Sequence, residues 1–178
     1  AWVDSQAGRL FDALRASGRM DDTIIVFDSD HGASLGENAC YAKQRYAPEV
    51  HRIPRLFSWR KNLQARQVRK DICEGLDLAR TLLGLAGLPA PESFRGRNVF
   101  TDPAPDAVFA TIGYGLPESM TFPLPRYGKY VNGRGWPRRS CIRTARYRLD
   151  KTTRIDGQPP MSEDVDMFLA DVIADPQE

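Results

Sequence analysis

The chain has 178 residues, an apolar share of 42% and a formal net charge of +2, enough for a domain of ordinary size with a real core. That balance removes any bulk-charge argument for nucleic acid or a membrane surface as partner, and no run is long and apolar enough to span a bilayer. Three cysteines, Cys40, Cys73 and Cys141, match no zinc spacing and cannot all pair within the chain; the compartment, cytoplasmic or periplasmic/secreted, stays open.

In chain order, Val3, Ala7, Leu10, Phe11 and Leu14 fall on one helical face. Gly18 is the expected stop, and Arg15 and Arg19 suit the negative end of the dipole. A crossover helix without its preceding strand predicts that the chain starts partway through a larger fold. Residues 23–27, Thr-Ile-Ile-Val-Phe, form a continuous β-branched and aromatic run. Such a run predicts a strand buried on both faces in a parallel α/β sheet. It ends in Asp28, Ser29, Asp30, His31 and Gly32. Ligands of open α/β sheets bind beyond the carboxyl ends of strands. A carboxylate and an imidazole there make a candidate metal-ligand pair, and Gly32 lets the backbone turn after them. By itself the pair is a weak metal signal and reads first as a turn.

Residues 33–52 are expected to be an irregular loop or short helical turns. Residues 53–59 are expected to be a strand whose Pro54 places it at an edge or a start. Asp77 precedes an amphipathic helix in which Leu78, Leu82, Leu85 and Ala86 share a face, ended by Gly87 and Pro89. Residues 89–105 are turn-rich and predict a boundary, with one domain over 1–104 and a second over 105–178. Short strands are expected at 107–112, 141–149 and 167–170, without helices between them. In the middle one, Cys141, Ala145, Tyr147 and Leu149 are placed on one side and Thr144, Arg146 and Arg148 on the other. This predicts a small antiparallel sheet joined to the α/β part.

Four segments in order resemble the carboxy-terminal portion of sulfatases, of the alkaline-phosphatase superfamily. They are Asp22-Thr23-Ile24-Ile25-Val26-Phe27 with Ser29-Asp30-His31-Gly32 and Leu35-Gly36-Glu37; Lys43 with Tyr46, Glu49, Arg52, Ile53 and Pro54; Leu76-Asp77-Leu78 through Leu88 to Gly96; and Ile142-Arg143-Thr144 with Tyr147-Arg148-Leu149, then Phe168 to Asp171 and Asp175-Pro176-Gln177-Glu178. The resemblance implies an α/β fold: the carboxy-terminal part of an alkaline-phosphatase-like sandwich over 1–104, plus a small antiparallel subdomain over 105–178. It implies Asp30 and His31 as ligands of a divalent cation, Ca2+ first, with Mn2+, Zn2+ and Mg2+ as alternatives. It implies Lys43 as the contact to the sulfate ester. A dication beside an ammonium would neutralise a sulfate and stabilise the charge that builds on its oxygens during S–O cleavage.

The sequence departs from the family in places. Asn38 stands where many sulfatases have histidine, and Ala47-Pro48 follows Tyr46 as in the related phosphoethanolamine transferases. Those relatives have a histidine at the position of Lys43, so the lysine favours a sulfatase. Sulfatases attack with a formylglycine made from a C-x-P-x-R-type motif, and no cysteine here has that context. The expectation is therefore the back part of a sulfatase, inactive alone, whose formylglycine lies in a missing amino-terminal part. A phosphate or phosphonate ester hydrolase, a phosphoethanolamine-type transferase and a non-catalytic binding module are the alternatives. Residues 113–139 are too long for an ordinary connection. Arg126, Lys129, Arg134, Arg138 and Arg139 there outnumber the single acid Glu118, which would draw an anionic small-molecule or carbohydrate sulfate ester. Arg134 and Arg138 are the candidate substrate contacts at such an entrance; a surface loop anchored by its aromatics is the other reading.

Overall fold

Turns free of Gly and Pro after Gly8 carry the first helix, α1 (Trp2–Ala16), towards Gly18, whose φ of +69° is the left-handed stop. The computed structural model describes residues 2–37, 41–43, 46–113, 138–155, 158–162 and 166–176. They divide into two units, one of residues 1–32 and 52–70, the other of 33–51 and 71–178.

In the first unit a 3-10 turn (Met20–Asp22) leads from α1 into β1 (Ile25–Phe27), which pairs antiparallel with β4 (Leu56–Ser58). The parallel, doubly buried strand expected at 23–27 is corrected here. Its partner runs the other way, and Phe27 is 61% exposed. A continuous apolar run reports strand and hydrophobicity but carries no direction of pairing. The apolar stripe of α1 is likewise turned outward, with Leu10 71% exposed and no buried residue in the helix. Lys61 reaches Asp21 and Asp22 at 3.6 and 3.8 Å, exposed contacts that add little stability.

The second unit opens with a hairpin of β2 (Ser34–Leu35) and β3 (Tyr41–Ala42), then a single helical turn, α2 (Pro48–His51). Tyr46, Ala47 and Val50 are buried. The Tyr46 hydroxyl donates to the Arg139 carbonyl at 3.0 Å. Burial, with Cys141 close by, raises the phenol above its ordinary range.

Helix α3 (Asp77–Leu85) ends at Gly87, φ +69°. Its anchor is Thr81, 0% exposed, whose hydroxyl accepts from Val99 N–H at 3.0 Å and donates to the Arg97 carbonyl at 3.3 Å. Thr81→Val keeps the shape and removes both bonds. It is expected to cost about 1–3 kcal/mol, because the Val99 N–H is left buried without an acceptor; urea unfolding of the two chains measures it.

Four strands, β5 (Ala107–Ile112), β6 (Arg138–Thr144), β7 (Tyr147–Arg154) and β8 (Met167–Asp171), form an antiparallel sheet in that order. The single strand expected at 141–149 is corrected to a hairpin. Thr144 Oγ1 accepts the N–H groups of Tyr147 and Arg146 at 2.8 and 3.3 Å, closing a turn that its sequence does not announce with Gly or Pro. The expected sidedness changes with it. Cys141 stands opposite Asp150, so Cys141 and Leu149 occupy opposite faces. Arg148, Asp150 and Thr152 are the buried set on β7. Charge goes inward because it is paired: Arg139 binds Asp150, and the Arg148 guanidinium lies 4.8 Å from the Phe168 ring centroid.

Candidate metal centre

The site grows out of the β1–β4 register. Ile25 faces Ser58, Val26 faces Phe57 and Phe27 faces Leu56. One further step brings Asp28 opposite Arg55, and there Nε and Nη2 of Arg55 hold Asp28 Oδ2 at 2.9 and 2.8 Å. Asp28 Oδ1 accepts the Ser29 N–H at 2.9 Å. Ser29 Oγ donates to the His31 carbonyl at 2.8 Å, and the His31 N–H donates to Asp30 Oδ1 at 2.9 Å. The loop beyond the strand is therefore folded by its own short polar side chains.

The structure brings Asp30 and His31 together. His31 Nε2 lies 3.2 Å from Asp30 Oδ2, with the Asp30 side chain 83% exposed and that of His31 35%. His31 Nδ1 is 2.8 Å from the Gly32 carbonyl. A carbonyl only accepts, so Nδ1 carries the hydrogen, and in the neutral ring Nε2 presents its lone pair to a carboxylate oxygen. Two acceptors at that distance need a positive charge between them: either the ring's second proton or a cation. A backbone-anchored Nδ1–H behind an outward Nε2 is also how metal-ligating histidines are usually held.

The donor set thus suits a divalent cation as part of a coordination shell. Among the described residues no group of three or more His, Cys, Asp or Glu side chains gathers to complete one. The carboxylate serves any of the expected ions, whereas the imidazole suits Zn2+ better than Ca2+, Mg2+ or Mn2+.

Lys43 stands immediately after β3, exposed, in the other unit. Arg138 opens β6, half-buried. Arg134, and residues 114–137 generally, lie outside the described residues. Glu49 accepts the Ser34 hydroxyl at 2.6 Å, and Tyr46 belongs to the buried set of its unit. Sequence reasoning missed Arg55 as Asp28's partner. Its signal was an arginine and an aspartate each flanking an apolar run, readable only once the pairing was known.

The sulfatase family model matches residues 1–88. Residues 1–88 are sulfatase-family sequence. Over 97 residues the chain is 34% identical to an N-acetylglucosamine-6-O-sulfatase of Bacteroides thetaiotaomicron, a stretch that is 54% of this chain and 17% of that protein. It is 35% identical over 98 residues to the multifunctional alkaline phosphatase superfamily protein PehA of Trinickia caryophylli, covering 54% of this chain and 19% of the relative. The chain thus spans under a fifth of the length of these two curated relatives. A phosphonate monoester hydrolase from Silicibacter pomeroyi has the same fold, with a TM-score of 0.75 at 23% identity over 98% of this chain and 35% of that one. The α/β class with an antiparallel sheet, read from the sequence, is the alkaline-phosphatase-like architecture of the sulfatase neighbours.

Proposed function

We propose that this chain is part of a metal-dependent sulfatase acting on a small-molecule or carbohydrate sulfate monoester. The observation that supports it most is the meeting of Asp30 and His31 beyond β1, with Nδ1 tied to the Gly32 carbonyl and Nε2 turned to the carboxylate. Asp30 and His31 would hold a divalent cation, Ca2+ or one of Mn2+, Zn2+ and Mg2+, which supplies charge neutralisation and polarisation of the ester. Asp30 contributes negative charge to that shell, and His31 is kept in the ligating tautomer by Gly32. Lys43 would bring its ammonium to the sulfate oxygens, and Arg134 and Arg138 would add attraction for the anion at the entrance.

The nucleophile is assigned elsewhere. No cysteine of the chain stands in a C-x-P-x-R context, so the formylglycine belongs to an amino-terminal part of the enzyme, the partner this chain works with. By itself the chain is expected to leave 4-nitrophenyl sulfate intact. Turnover by the purified chain that disappears in Lys43→Ala would overturn that assignment. The similarity to a phosphonate monoester hydrolase keeps one second reading, a phosphonate ester hydrolase. The ratio of kcat/KM for sulfate and phosphonate monoesters, measured on the complete enzyme, separates the two.

A further inference from the structure

We propose that Arg55 and Asp28 are positioning residues for the Asp30–His31 pair: a nearly buried ion pair, set one register step beyond β1 and β4, fixes the loop that aims both side chains. This rests on reading Asp30 and His31 as ligands. The chain of contacts is continuous and uses different atoms at every link. It runs from Arg55 to Asp28 Oδ2, from Asp28 Oδ1 to the Ser29 N–H, from Ser29 Oγ to the His31 carbonyl, and from the His31 N–H to Asp30 Oδ1.

Burial distinguishes this pair from the unit's other ion pairs. The side chains of Arg55 and Asp28 are 9% and 15% exposed, against 62% and 44% for Lys61 and Asp21. Two guanidinium nitrogens converge on the single oxygen Oδ2 and hold it in place, which leaves Oδ1 to the Ser29 N–H. The guanidinium also cancels the charge of Asp28, which then does not compete with Asp30 for a cation. Loss of Arg55 leaves a nearly buried carboxylate uncompensated, and that carboxylate moves towards water or towards the cation, taking Ser29 with it.

The experiment uses the isotopically labelled chain, with its histidine ring nitrogens read by NMR above the histidine range and Mn2+ added as the probe ion. In the parent chain His31 is expected to be mainly the Nδ1–H tautomer, and Mn2+ to broaden His31 and Asp30 first. Arg55→Met is expected to shift the ring towards the Nε2–H tautomer usual for free histidine and to weaken the Mn2+ effect about 10- to 100-fold. Arg55→Lys, with one donor group instead of a fork, should recover part of both. The β1–β4 amide signals report whether each variant is folded; where Arg55→Met is not, Asp28→Asn and Arg55→Lys are judged on the same readouts. A folded variant with parental tautomer and parental Mn2+ sensitivity overturns the clamp. Absence of Mn2+ broadening at His31 in the parent sinks the ligand reading instead, and the tautomer then decides the clamp alone.

Discussion

Gly96→Ala is expected to cost more than about 3 kcal/mol, the upper end of what overpacking does. A Cβ at this buried position would lie 2.7 Å from the Asp77 nitrogen and closer still to the Leu76 carbonyl. Those are backbone atoms at the start of α3, with no rotamer by which to withdraw. The backbone at 96 must therefore move, and it is fastened on both sides. Asp77, 2% exposed, accepts the Arg97 N–H at 2.9 Å through Oδ1 and the Glu74 N–H at 3.0 Å through Oδ2. The Arg97 guanidinium donates to the carbonyls of Asp102 and Ile72, both at 3.0 Å. Any shift that admits the methyl group stretches these part-buried bonds to the buried Asp77 carboxylate and the neighbouring carbonyls. The urea midpoint of Gly96→Ala against the parent chain measures the cost. A difference under about 1 kcal/mol would show slack that the contacts do not suggest.

How much of this was legible in the sequence depends on the range over which each feature is decided. Helices α1 and α3 carried their own signals: apolar spacing at 3.6 residues and a glycine at each end, both found at positive φ. Strand β5 coincided with its expected span, and β8 differed by one residue. What failed was pairing. Direction at β1 and the hairpin turn after Thr144 depend on which residues lie opposite, and a single strand's composition holds no record of that. The buried charges of β7 failed for the same reason. Arg148 and Asp150 look like solvent-facing positions until Arg139 and Phe168 are placed beside them. At the site, the Asp30–His31 contact is local and was readable, because adjacent residues in a tight turn need no long-range partner to meet. Asp28–Arg55 was not, since 27 residues separate them.

In the complete enzyme, His31→Ala and Lys43→Ala are both expected to lower kcat/KM for a sulfate ester severely, but with different signatures. Lys43 is proposed to act on charge that develops on the sulfate oxygens. Removing one such stabilising group typically lowers kcat about 10²- to 10³-fold. That loss belongs to the protein, so added metal should not repair it. His31 is proposed to act one step earlier, by helping to retain the cation. Its removal leaves Asp30 as a single exposed carboxylate at this edge of the site, 83% exposed as a side chain, and one carboxylate holds a dication weakly. Activity of His31→Ala should therefore rise again as Mn2+ or Ca2+ is increased, by mass action on a weakened site. Asp30→Asn should resemble it, because the amide keeps the shape and an acceptor oxygen for the His31 N–H but loses the charge. If saturating metal restores Lys43→Ala as fully as His31→Ala, the lysine supports the cation rather than the ester. If it restores neither His31→Ala nor Asp30→Asn while both remain folded, the pair does not hold the metal.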